Sequence, residues 1–176
     1  MKKRKLAITS IIIFLFTAII IFYVNDNNQL SGNDKDAIEK YITSINGFED
    51  KTIQILEIKD LDELRIVAFL SNNEPGFMQF TKNKDGNYSK DLIEVKNNET
   101  LGSFSPTLPL LLFVTNNQNE IANMEVTING VRYEQKFAPN ETTVTWMELP
   151  EVDKDKYIFS DYKYFDKDGT LIKEFK

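Results

Sequence analysis

Residues Leu6 to Val24 form a mostly apolar run without a single charge, directly after the basic start Met1-Lys-Lys-Arg-Lys5. A run of this length crosses a bilayer as one helix. A cleaved secretory signal would have a shorter apolar core and a small-residue exit. Here the run leaves through Phe22-Tyr23-Val24, so residues 1–24 are expected to be an uncleaved transmembrane signal anchor. Four basic residues precede it and Asp26 follows it, with no basic residue before Lys35. The positive-inside bias then leaves the N-terminus in the cytoplasm and the rest of the chain outside the cell membrane. Residues 25–33, NDNNQLSGN, read as a polar linker without periodicity.

Beyond the linker the pattern changes to the helical period. Ile38, Tyr41, Ile42 and Ile45 stand at i, i+3, i+4 and i+7 and make one apolar stripe. Asn33 or Asp34 is the expected N-cap and Gly47 the stop. From Thr52 the pattern becomes that of strands. Ile53–Ile58, Leu64–Leu70, Phe77–Phe80 and Leu92–Val95 read as an antiparallel meander, with turn chemistry at Lys84-Asp-Gly86-Asn87. The helix is expected to pack on one face of this sheet.

Leu101 to Pro109, LGSFSPTLP, carries two prolines and reads as a connector at a soft subdomain boundary. The remainder is expected to be β. Leu110–Val114 is apolar on both faces, as a central strand would be. Met124, Val126 and Ile128 alternate with polar residues, Asn129-Gly130 follows, and Val131, Tyr133 and Phe137 resume the alternation. An Asn-Gly pair between two such runs predicts a hairpin through a type I′ turn. Thr143–Leu149, Tyr157–Phe165 and Thr170–Phe175 are further strands, the last two joined by Asp166-Lys-Asp-Gly169. Six short strands at this spacing predict a small immunoglobulin-like sandwich. The fold class expected is therefore α+β: an N-terminal transmembrane helix, an α+β subdomain over 34–100 with one amphipathic helix on a β-meander, and a sandwich-like subdomain over 107–176.

Composition narrows the function. All 27 acidic residues and 17 of the 21 basic ones follow Val24, which leaves that part at a formal −10. Such a surface argues against nucleic acid, whose phosphates demand basic contacts. The chain has no Cys and no His. Ser-His-Asp and Cys-His catalysis, thiol chemistry and His- or Cys-based zinc sites are thereby excluded as normally built. With 18 Lys against 3 Arg and many Asn and Ile, the absence of Cys points to an AT-rich bacterial genome and the outer face of a Gram-positive membrane.

The stretch MEVTINGVRYEQKFAPNETTVTWMELP, followed by YKYFDKDGTLIKEF, resembles the C-terminal half of uncharacterised single-pass extracytoplasmic proteins of Gram-positive bacteria. The resemblance covers residues 120–176 and implies a location and a β-rich module, with no active site.

Three constellations carry candidate chemistry. Ser103-Phe-Ser-Pro-Thr-Leu108 is similar to the Ser-Met-x-Pro-Thr-Leu box around the nucleophile of type I signal peptidases. Ser103, however, lies far beyond the membrane segment, Phe104 replaces the Met, and the companion Lys segment is missing. Asp166-Lys-Asp168-Gly169 begins like a calcium loop, but it continues as a strand and lacks the remaining oxygen ligands. Trp146, Tyr157, Phe159, Tyr162 and Tyr164, with Phe165, form an aromatic-rich pair of strands. They read first as cross-strand packing and second as a platform for a glycan or peptide. The expectation is a non-catalytic binding or accessory module of the cell envelope, without cofactor or metal, whose partner is an envelope protein, a peptide or a wall polymer. The alternatives are an envelope hydrolase using carboxylates or a Ser-Lys pair, and a self-protection or signalling regulator at the membrane.

Overall fold

The computed structural model describes residues 32–107, 109–150 and 156–175. The segment expected to span the membrane, residues 6–24, lies outside them, as does the linker as far as residue 31. Among the described residues no helix is long and apolar enough to cross a membrane.

Helix α1 (Lys35–Thr43) begins at Asp34, whose side chain accepts from the Ala37 N–H at 2.9 Å. Ile38 and Ile42 are fully buried, and Tyr41 and Ile45 pack beside them. The helix ends before Gly47, in a series of turns, and Gly47 takes a positive φ of 91° after them.

The strands are β1 (Ile53–Leu61), β2 (Leu64–Ser71), β3 (Glu74–Lys82), β4 (Tyr88–Val95), β5 (Leu101–Phe104), β6 (Leu110–Thr115), β7 (Asn123–Ile128), β8 (Val131–Lys136), β9 (Thr143–Glu148), β10 (Phe159–Phe165) and β11 (Leu171–Phe175). They form three sheets, ordered β1-β2-β3-β4, β5-β6-β9 and β11-β10-β7-β8, with every pairing antiparallel. The connector expected at 101–109 is half strand: Leu101–Phe104 pairs with β6, and the irregular backbone is confined to the proline-bearing part. Among the described residues the β-rich second half therefore has seven strands, not six.

The sheets stack as layers. On one face of the first sheet, Ile53, Ile55, Val67, Phe69, Met78 and Phe80 pack under α1. On its other face, Ile66, Ala68, Leu70 and Phe77 meet Phe104, Leu112 and Val114 of the second sheet. The second sheet turns Leu111, Phe113 and Met147 towards Met124, Val126 and Ile128 of the third. Strands β2, β3 and β6 are thus covered on both faces, which is why Ile66–Leu70 and Leu111–Val114 are buried without alternation. The meander and the sandwich share this continuous stack, closed between them by the Phe77 and Phe104 rings 5.0 Å apart.

Hairpin geometry follows from left-handed backbone. Asn129 (φ 50°) and Gly130 (φ 82°) join β7 to β8, and Asn72 (φ 49°) and Asn73 (φ 69°) join β2 to β3. Both are two-residue turns with positive φ at each position, the twist that suits antiparallel neighbours.

Candidate binding cleft

Between the second and third sheets the sandwich is splayed open on the side where β5 and β11 form the edges. The opening is a cleft of about 510 Å³. Its floor is made by Phe159, Tyr162, Tyr164, Lys173 and Phe175 of β10 and β11. Facing them are Leu101, Ser103, Ser105 and Leu111 from the β5–β6 side, with Lys96 and Glu99 at the rim.

The register explains the floor. Phe159 pairs with Ile128 and Tyr164 with Met124, and both partners point into the sandwich. Ser160 pairs with Thr127 and Lys163 with Glu125, so Asp161 and Tyr162 together oppose Val126. This is a β-bulge. Asp161 takes the left-handed conformation (φ 54°), and Tyr162 returns to the inner face. Tyr162 and Tyr164 then pair with Phe175 and Lys173, which places those residues on the same face. The result is a row of neighbouring rings, with centroids 6.2 Å apart for Tyr157–Phe159 and 6.4 Å for both Phe159–Tyr162 and Tyr162–Tyr164. Phe175 closes the row edge-on, 6.3 Å from Tyr164.

The opposite wall is low because its side chains are small. Ser103 pairs with Phe113, so it faces inward but reaches only a short way. The next inward position, Ser105, is no larger. Of the two bulky residues of β5, Leu101 lines the cleft and the larger, Phe104, points the other way into the first sheet.

Phe159, Tyr162 and Tyr164 are half-buried, packed on the core at one side and open to the cleft on the other, whereas Phe175 is exposed. Burial pushes the Tyr164 phenol up to about 12, helped by the neighbouring Tyr162 and Glu99, and raises that of Tyr162 as well. Lys173 Nζ lies 3.4 Å from Glu99 and joins the two sides of the mouth; Lys96 pairs with Glu94.

The structure brings together Tyr157, Phe159, Tyr162 and Tyr164 of the sequence candidates and separates Trp146 from them. Trp146 pairs with Leu112 and therefore faces the first sheet, where its Nε1–H donates to Glu57 at 3.0 Å and Lys59 covers its ring at 4.4 Å. Phe165 pairs with Asn123 on the outer face of the third sheet. Ser103 and Ser105 of the Ser103–Leu108 box also line the cleft, and Phe175 and Lys173, which were not singled out from the sequence, complete it. Thr170–Phe175 was legible as a strand, but not which of its residues share a face with the rings of β10.

Asp166 accepts backbone N–H donation from Thr170 and Asp168, which holds its carboxyl below the usual range in a hairpin turn. Among the described residues no group of three or more carboxylates is placed to hold a metal ion.

Comparison of the chain with family models, with curated proteins and with solved structures finds no match.

Proposed function

We propose that this protein is a non-catalytic binding module displayed on the outer face of a bacterial cell membrane, and that the cleft between β5 and β11 takes an extended peptide segment of an envelope or secreted protein. One observation carries this reading: among the described residues, the cleft lies between two strands that each pair on one side only. A strand added to either edge gains main-chain hydrogen bonds and sends alternate side chains over the ring floor. Leu171, Ile172 and Phe175 leave β11 with exposed apolar surface, where edge strands are normally protected by charge. The division of the sandwich into three and four strands supports an immunoglobulin-like module, and the basic-then-apolar N-terminus supports the anchor. The resemblance to single-pass extracytoplasmic proteins of Gram-positive bacteria fits the same location.

The Ser-Lys alternative is weakened by the same geometry. Ser103 shares the cleft with Lys96 and Lys173, but each lysine is ion-paired and more than a third exposed. A lysine that works as a base needs desolvation to shed its proton. A wall polymer is the second reading, favoured by four hydroxyl-bearing side chains, Ser103, Ser105, Tyr162 and Tyr164, beside aromatic rings.

The test is a photo-crosslinking residue at Ser105 of the full chain in living cells, followed by mass spectrometry. Peptide adducts that disappear with Tyr162→Ala and Phe175→Ala support the proposal. Retention on purified wall glycan without peptide adducts moves the assignment to polymer binding. Adducts indifferent to both substitutions overturn the cleft as the site.

A further inference from the structure

The end of the polar linker is part of the fold. Gly32 is buried, and its N–H donates to the Tyr88 carbonyl at 3.2 Å. A Cβ on Gly32 would lie 2.6 Å from the Phe80 ring, so the chain enters flush against the sheet. Arg65 Nη1 donates to the carbonyls of Gly32 and Asn33, at 2.6 and 2.8 Å. Its other nitrogens hold Asp60 in a two-pronged ion pair, and its guanidinium covers the Tyr88 ring at 4.1 Å. The Asn33 side chain accepts from the Tyr88 N–H and donates to Asn87. Five contacts from three elements thus clamp two residues that composition alone makes a loose tether.

The position of this clamp has a geometric consequence. It sits at the start of β4, beside the β1–β2 and β3–β4 turns. The Lys96–Glu99 rim of the cleft follows the other end of β4, roughly 23 Å further along at about 3.3 Å per residue. Residues 25–31 are all that separate Val24 from the clamp, and even fully extended they reach only about 25 Å. Asn116, beside the sandwich, donates to Asn73 at 2.7 Å, which places the 116–119 loop at the same far end as the cleft rim.

We infer that the Gly32–Asn33 clamp orients the domain on the membrane, with the β3–β4 turn end next to the bilayer surface and the cleft rim and 116–119 loop held away from it. The ligand then reaches the rim from the wall side and not along the bilayer. This rests on the anchor reading of residues 1–24 and would not hold for a domain released by cleavage.

The absence of cysteine makes the experiment direct, because a single introduced thiol labels one place. Asp85→Cys marks the turn end and Gln118→Cys the far end, both at exposed positions. Each full-length variant is labelled with a donor fluorophore and reconstituted in vesicles that carry a lipid-bound acceptor. Flotation reads the anchor, and energy transfer reads the orientation. Protein that floats, with transfer from position 85 roughly twofold or more above that from position 118 across the strand length separating them, supports the inference. Inserting a long Gly-Ser segment after Asn28 should then bring the two efficiencies together without touching the domain. Protein that floats with equal or reversed transfer overturns the orientation and leaves the anchor standing. Protein that does not float overturns both.

Discussion

Phe159 and Tyr162 lie three residues apart in one strand, yet their rings face the same side, 6.4 Å apart and 25° from parallel. An odd spacing in a regular strand would put them on opposite faces. The left-handed Asp161 between them absorbs one residue and restores the match. The row of rings from Tyr157 to Phe175, which lines the cleft from Phe159 onward, depends on that single conformation.

Asp161 is therefore the residue to substitute first. Asp161→Gly should keep the fold, because glycine occupies this region without strain. Asp161→Val should cost about 1–3 kcal/mol, since a β-branched residue is poorly accommodated there. Deleting Asp161 should move either Phe159 or the Tyr162–Tyr164 pair to the outer face. Urea midpoints check the first two, and ring-to-ring nuclear Overhauser contacts between positions 159 and 162 check the third.

The Phe77–Phe104 contact tests whether the stacked sheets unfold together. Phe104→Ala removes a fully buried ring between the first and second sheets and should cost about 3–5 kcal/mol. If the layers form one cooperative unit, calorimetry will show a single transition moved to lower temperature. Two separate transitions in the unsubstituted protein would show that the meander and the sandwich unfold independently.

Gln79 is wholly buried, donates to Asp91 and Thr107 and accepts from the Thr107 N–H at 3.0 Å, so it ties the proline-bearing connector to β3. Gln79→Leu leaves those partners unmatched and should cost about 1–3 kcal/mol. Gln79→Glu adds a like charge beside Asp91 at a buried position, which raises the new carboxyl above its ordinary value, and its penalty should shrink as pH falls from that raised value to the ordinary one. Denaturant curves at neutral and acid pH separate the two variants.

The shifted groups give opposite pH limits. Hydrogen bonds from Arg65 hold the Asp60 carboxyl below its ordinary value. Its contribution is present above the unfolded value near 3.8 and is lost as pH falls through the lower folded one. Arg65→Met should therefore lower stability at neutral pH, with the difference narrowing in acid to what the Arg65 hydrogen bonds to the Gly32 and Asn33 carbonyls contribute. Tyr164 behaves in the opposite sense. Its phenol is raised from 10.0 to about 12 by burial, so its contribution holds below pH 10 and is lost between 10 and 12. Tyr164→Phe should flatten the alkaline loss of stability in that interval, read from thermal midpoints in a pH series.

Much of the architecture was legible because it is local. The spacing of Ile38 and Ile42 defined the buried face of α1, Asp34 capped it, and Asn129-Gly130 made the turn it predicts. The uniform apolar run from Leu111 to Val114 announced a strand covered on both faces. The β2–β3 hairpin was expected as part of the meander but its turn residues were not, because Asn72-Asn73 is a weaker signal than Asn-Gly, although Asn also tolerates the left-handed region. Strand β5 was hidden by the neighbouring prolines, since Leu101–Phe104 is short and finds its stability in the partner Leu112–Thr115.

The candidate site was legible as composition and not as geometry. Trp146 and the Tyr157–Tyr164 segment look alike in sequence, being aromatic positions in β-rich runs. Register sends Trp146 towards Glu57 and Lys59 and sends Tyr162 and Tyr164 into the cleft. A one-residue change of pairing exchanges these faces, and only the neighbouring strands specify it.

The chain by itself determined the helix, nearly all the strand positions, the hairpin at Asn129-Gly130 and the chemistry excluded by the absence of His and Cys. Each of these depends on residues close in sequence or on residue types alone. Tertiary structure decided the stacking of three sheets, the clamp on Gly32 and Asn33, the bulge at Asp161 and the cleft between β5 and β11. Those features depend on which distant strands meet and in what register, and that choice is made by burial summed over the whole core.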